Sequence, residues 1–547
     1  MFVRNMFSVL FGLGLLASSA AFGVEANPNA PKGGVFNYHL DAEPESLHPI
    51  MKGDLYTRYF NRYVQDVLCE NDFNTWQFSP RLAESWTVSP NGLEFTFKIR
   101  KDAVFHNGQP VTADDVKFSL EAIRDPKHEA LDMIPYYETF TKINVIDKQT
   151  IKFTAKEKYF QNLNSLCGLY VIPKSVYGDI TKSVKMLKEA VGAGPYQFVK
   201  YDRGQSITIK KFDKWYGNNI QQWKGYFNFA QINFKVTQDD NIINERLKKG
   251  ELDYVEFRST DGFLKVTGKP FKQSFKSEKF QTLAVKNDMP KSYGYIGFNF
   301  LDPILKDKNV RIAFSHLVNR ELINQKFAEG LNNLATSPVS VGTAQSPDRK
   351  PLEFSPVKAK QLLTAAGWTD SDKNGILDKV INGKKTEMKL SFIYANKDSE
   401  KQWTIVKEDC KKAGIELDLK LLEWNSFIKT VDERKMQLWT MGWGGGDVEG
   451  DPKQIFHSTS SGKGGSNYGS YSNPEVDKGI DQARGELDPK KRAALFKKVY
   501  GMIADDAPYV FMFNRKFEYY AISNKVKSPG DTFKYDFGYR TWWSAQP

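Results

Sequence analysis

Strand-type and helix-type segments alternate along almost the whole chain, and this alternation is what most constrains its fold. Residues 206–210, 231–236, 389–394 and 416–422 read as strands. Helix signals fall between and around them. Thr112 is an N-cap with Asp115 three residues on, a variant of the capping box, and Val116, Leu120 and Ile123 then share one helical face. Pro356, Pro474 and Pro489 each follow a capping Ser, Asn or Asp, at the first turn where a missing N–H costs nothing. Val310, Ala313, Phe314, Leu317 and Val318 form an apolar stripe that predicts one long helix over 308–328. Residues 84–99 read as a hairpin. Asn91-Gly92 supplies the turn, and Leu93, Phe95, Phe97 and Ile99 alternate inward. Such interleaving predicts α/β domains with mixed sheets. One glycine-rich stretch, 444–471, carries no clear periodicity, and loops of that length inside a compact domain are usually functional.

Several function classes are weakened directly. The 547 residues carry a net charge of +12, but the basic residues are dispersed among acids. A nucleic-acid footprint would gather them into a stripe, so no nucleic-acid partner is expected. No P-loop, nucleophile elbow or paired-histidine zinc helix occurs, so no catalytic residue is nominated and an enzyme is not expected. Asp370-x-Asp372-x-Asn374-Gly375 begins like a calcium loop. Its twelfth position is Ile381 where a bidentate glutamate belongs, so the segment reads as an acidic turn entering a hairpin. No metal or cofactor is expected. Cys69, Cys167 and Cys410 leave two options open: one bridge with a free thiol, or three buried thiols.

Residues 1–23 read as a cleavable export signal. Arg4 supplies the positive end, and an apolar run of about 11 residues is well short of the ~20 needed to span a bilayer. Small residues follow, with cleavage after Ala21 or Gly23. No cysteine stands there, so a lipid-anchored form is not expected. The mature chain is expected in the periplasm as a soluble monomer.

Several ordered motifs resemble the extracytoplasmic solute-binding proteins of ABC importers, and in particular the dipeptide/oligopeptide-binding family. The main signature is Pro80-Arg81-Leu82-Ala83-Glu84-Ser85-Trp86, then Asn91-Gly92-Leu93-Glu94-Phe95, then Phe105-His106-Asn107-Gly108 through Thr112-Ala113-Asp114-Asp115-Val116. Gly192-Ala193-Gly194-Pro195-Tyr196, Gly250-Glu251-Leu252-Asp253, Asn309-Val310-Arg311, Ala366-Gly367-Trp368 and Gly442-Trp443 through Asp451-Pro452 follow in family order. The resemblance implies a periplasmic-binding-protein type II fold, with two α/β lobes around a cleft plus an inserted third domain. It implies lobe I at 24–75, 192–290 and 510–547, a second body at 76–191, and a large α/β lobe III at 291–509.

The same resemblance implies capture of a peptide-like solute and its delivery to ABC permease subunits in the cytoplasmic membrane. A non-peptide solute (oligosaccharide, metal chelate or modified peptide) and a sensory receptor are the alternatives, with a secreted hydrolase behind both. In such relatives an aspartate shortly after the Gly-Trp pair receives the peptide's amino terminus. Here the stretch is Trp443, Gly444, Gly445, Gly446 and Asp447, so the aspartate comes one residue late and Gly446 aligns in its place. Glu45, Ser46 and His48 correspond to the first lobe's side of the cleft, where relatives commonly carry Asp at the position of His48. Tyr295 and Asn299 are further ligand-site candidates. Gly192 and Gly194 are the expected hinge.

Overall fold

The computed structural model describes residues 24–51, 54–130, 133–445, 447–462, 465–530 and 532–546. The predicted export signal and Gly446 lie outside them. Three sheets organise the chain. The first has eight strands in the spatial order Ser274–Lys276, Phe280–Val285, Glu518–Ser523, Tyr254–Phe257, Val35–Leu40, Gln231–Val236, Ser206–Lys211 and Tyr196–Asp202. Val35–Leu40 runs parallel to both neighbours and the remaining pairs are antiparallel, so the sheet is mixed. Phe36, Tyr38 and Leu40 alternate into an aromatic-rich core, as the period of a strand requires.

The second sheet has four antiparallel strands, Ala83–Val88, Glu94–Ile99, Thr150–Ala155 and Phe140–Asp147. Its first two form the expected hairpin, with Gly92 at φ +71° in the turn. The helix Ala113–Arg124 packs on this body and opens with both halves of the capping box in place. A cap of this kind contributes about 1 kcal/mol.

The third sheet has six strands, Asn332–Leu334, Tyr509–Arg515, Tyr293–Phe298, Leu438–Trp443, Lys389–Tyr394 and Glu416–Leu421. Two expectations need correction here. Residues 308–328 form two helices, Lys308–Leu317 and Arg320–Ala328. Asn319 caps the second, its Oδ1 accepting the Leu322 amide at 3.0 Å, and this interrupts the continuous stripe. The return to the first lobe comes later than residue 510. Tyr509–Arg515 pairs with Tyr293–Phe298 inside the six-stranded sheet, and only Glu518–Ser523 joins the eight-stranded one. Two successive strands of similar composition thus serve different sheets, which their periodicity could not reveal.

Cys69 and Cys167 form a disulfide, and Cys410 is a buried thiol. Asp370, Asp372 and Asp378 bring carboxylate oxygens within 4.8 Å of one another. Lys385 pairs with Asp372 at 2.7 Å, and the Ser371 hydroxyl donates to Asp378 at 2.8 Å. The hairpin Asp378–Ile381 and Lys384–Glu387 follows, as expected, with Asn382 and Gly383 both at positive φ. Among the described residues no helix is long and apolar enough to cross a membrane.

Candidate functional site

A cavity of about 390 Å³ opens where the first lobe, the four-stranded body and the crossing to the large lobe meet. The helix Leu55–Val64 forms part of its first-lobe wall. Asp54 caps that helix, Oδ1 accepting the Thr57 amide at 2.8 Å, and Phe60 and Val64 anchor its inner face in the core. Arg62 stands in the last turn, where the helix dipole favours a cation. Gln65 follows at the C-cap. Both side chains line the cavity, with Arg81 and Arg540 beside them. Glu70 sits between Arg81 at 3.0 Å and Arg540 at 2.8 Å, and the buried Asp66 holds Arg81 at 2.7 Å.

Trp76 and Asn164 contribute to the same cavity from the second body. Both reach across to the large lobe and hold Asp447. The Trp76 indole Nε1 donates to Asp447 Oδ1 at 3.2 Å, and the Asn164 amide donates to Oδ2 at 2.8 Å. Burial raises the Asp447 carboxyl above its ordinary range, against the pull of these donors. Asp447 begins a seam. Gln161 Nε2 donates to the Glu449 carbonyl at 3.1 Å, and the Tyr159 hydroxyl donates to Asp451 at 2.8 Å. Arg484 completes it, donating to Asp451 at 2.8 Å with its guanidinium 4.0 Å from the centre of the Tyr159 ring. Residues 159, 161 and 164 thus meet 451, 449 and 447 in antiparallel order.

Trp443 ends the strand Leu438–Trp443 and belongs to a ladder of near-parallel rings. Tyr509 stacks on Tyr295 at 4.0 Å, Tyr295 faces Trp443 at 6.4 Å, and Trp443 faces Tyr468 at 5.9 Å. Tyr295 is wholly buried in this ladder. Gly444 is exposed. At Gly445 an added Cβ would lie 1.7 Å from the Pro290 carbonyl, so only glycine permits that approach to the crossing segment.

The other expected ligand residues are internally occupied. Asn299 is buried and donates to the Arg434 and Met436 carbonyls at 3.1 and 2.7 Å. His48 is fully buried: Nδ1 accepts the Ile50 and Met51 amides, and Nε2 meets the Ser183 hydroxyl at 3.0 Å. Two amide donors on Nδ1 place the proton on Nε2. Burial pushes this imidazole down to about 3. Ser46 is buried and its Oγ accepts the His48 amide at 2.9 Å. The exposed Glu45 makes a backbone contact to Asp54 at 3.2 Å. None of these four residues lines the cavity.

Gly192 and Gly194 lie where the second body rejoins the first lobe. Added Cβ atoms would stand 2.1 Å from the Val64 carbonyl oxygen and 2.6 Å from those of Tyr63 and Gln65. Their smallness lets the strand entry press against the end of the helix Leu55–Val64. Gly194 donates to the Val64 carbonyl at 3.0 Å, and the His106 ring spans both glycines at 3.2 and 3.0 Å. Arg62, Gln65 and Asn164 were not legible as site residues. An arginine and a glutamine closing an amphipathic helix carry no motif.

Residues 77–467 match the family model for the bacterial extracellular solute-binding proteins, family 5 middle region. The chain is 29% identical over 532 residues to the oligopeptide-binding protein AppA of Bacillus subtilis, covering 93% of this chain and 92% of that one. It is 25% identical to heme-binding protein A of Haemophilus influenzae, with coverages of 87% and 86%. It is also 25% identical to the dipeptide-binding protein of Escherichia coli, with coverages of 91%. The solved structure of Bacillus subtilis AppA with a nonapeptide superposes with a TM-score of 0.79 at 25% identity, covering 94% of this chain and 100% of that one. The fold is therefore the expected type II periplasmic-binding fold. The family model spans most of the chain, and the protein belongs to the bacterial extracellular solute-binding proteins of family 5.

Proposed function

We propose that this protein is the capture component of an ABC importer, and that it closes around a short peptide and presents it to permease subunits in the cytoplasmic membrane. The observation that carries this reading is the Asp447 carboxylate, which the second body grips through Trp76 and Asn164 beside the cavity. A solute-binding protein needs two states and a ligand that prefers the closed one. The seam from Asp447 to Asp451 is the closed arrangement. Asp447 acts as its latch, because its carboxylate is engaged by protein donors where a peptide amine would otherwise sit. The two segments that cross to the large lobe, near residues 290 and 516, are the hinge, since the Cys69–Cys167 bridge and a shared core tie the second body to the first lobe.

The cavity sits at the small end of the roughly 300–1,000 Å³ range of small-molecule sites, which favours a peptide of few residues. The expected setting is the periplasm, reached by the export signal at 1–23. The direct test is a thermal-shift screen with di-, tri- and longer peptides, paired with small-angle scattering. A ligand at 100 times its Kd adds about 2.7 kcal/mol of stability. Compaction should accompany that gain. A stoichiometric ligand that stabilises without compaction overturns the closing mechanism.

A further inference from the structure

The first-lobe wall of the cavity holds polar groups that the protein itself leaves unanswered. Gln65 is 2% exposed, and neither its Nε2 nor its Oε1 has a partner. The Nε of Arg540 is likewise buried and unpaired. Native proteins satisfy nearly all such atoms, so unsatisfied ones on a cavity wall point to a group that arrives from outside. Arg62 differs from its cationic neighbours. Glu70 and Asp66 are spent on Arg81 and Arg540, whereas Arg62 has no carboxylate within ion-pair distance among the described residues. It is bonded to the Tyr539 hydroxyl, and its guanidinium lies 5.7 Å from the centre of the Tyr59 ring. The side chain keeps exposed surface and lines the cavity.

We propose that Arg62 and Gln65 form a carboxylate subsite. The Arg62 fork takes a ligand carboxylate, and the Gln65 amide donates to the same group or to the adjoining peptide unit. The planar guanidinium suits two-point contact with a carboxylate. Arg62 and Gln65 stand three positions apart, so they project from one side of the helix end. The ligand class that follows is a short peptide with a free carboxyl terminus, and a blocked one is refused. The peptide identity rests on the proposed function; the demand for a carboxylate does not.

The test is calorimetric titration of the full chain with trialanine and trialanine amide, alongside N-acetylalanine and its amide, which lack a free amine. Wild type should bind the acids about tenfold or more tightly than the amides, the scale of one charge-assisted hydrogen bond. Arg62→Gln should abolish that preference, and Arg62→Lys should keep part of it, which guards against a misfolded variant. Gln65→Met removes two unsatisfied atoms. It should therefore raise the melting temperature of the ligand-free protein while weakening acid binding. Peptides that bind wild type equally as acid and amide overturn the subsite and spare the peptide reading. N-acetylalanine discriminated from its amide by wild type but not by Arg62→Gln, with no peptide bound, overturns the peptide reading and supports the subsite. A folded Arg62→Gln protein that still prefers acids overturns the proposal.

Discussion

Residues 45–48 and 443–447 occupy corresponding roles in the sequence, one nominated for each side of the cleft, and the structure treats them in different ways. The first is locked between the first lobe and the second body. Ser46 and His48 spend their polar atoms on neighbouring amides and on Ser183, beneath the surface. The second reaches outward as well: beside the Val448 and Glu449 amides of its own loop, Asp447 takes donors from another body. What separates the two cases is whether the bodies they join are tied together: Ser183 belongs to the second body, which the Cys69–Cys167 bridge and a shared core fix to the first lobe, whereas Asp447 reaches that body from the large lobe. Substitutions in the first loop should change stability and leave affinity alone, and those in the second should do the reverse.

The largest expected effect breaks the comparison by touching both properties. The Cys69–Cys167 bridge joins the first lobe to the helix that carries Asn164, closing a separation of 98 residues. Replacing both cysteines by serine should cost up to about 4.7 kcal/mol of stability, the chain-entropy scale for such a loop. Denaturant unfolding measures this. The same variant should bind ligand more weakly, because Asn164 loses its tether three residues away. An unchanged Kd would show that the seam holds without the bridge.

His48 should move stability alone. Its folded value lies near 3 against an ordinary 6.5, so the unfolded chain takes up the proton first. The stabilising contribution is therefore complete above about pH 6.5 and is lost as pH falls toward 3, reaching about 2 kcal/mol at pH 5. His48→Asn keeps an acceptor for the Ile50 and Met51 amides but cannot titrate. Its melting temperature should fall less than that of wild type between about pH 7 and 5, with Kd at about pH 7 unchanged.

Local structure was largely readable from the residues, and the contacts between bodies were not. The capping box at Thr112, the Asn-Gly turns and the proline-led helices each depend on neighbours within a few positions. The apolar stripe at 310–318 was real but hid a break, because Asn319 can cap a helix only by ending another. The glycine pair at 192 and 194 was visible as a special site, and its steric reason needed the end of the helix Leu55–Val64 in place. Trp443 and Asp447 could be nominated from their motif. Asn164, 283 positions from Asp447, could not, since a lone asparagine on a short helix carries no signal until the two bodies meet.

Asp447 gives the smallest of these effects and the sharpest one. In Asp447→Ala the indole of Trp76 and the amide of Asn164 lose their shared acceptor only in the closed state, since the seam exists only there. The open protein loses only the acceptor of the Val448 and Glu449 amides in the same loop, where water can replace it, so the thermal midpoint without ligand should shift little. Two hydrogen bonds to a charged group remain modest once water competes for the same donors, and a loss of about tenfold in affinity is expected, or about 1.4 kcal/mol. The loss should be the same for peptides with free and acetylated amino termini, because a latch acts on closure and not on one ligand group. A loss confined to free amines would instead make Asp447 the amine anchor that its motif suggests. The seam would then have to open at that residue when a peptide enters.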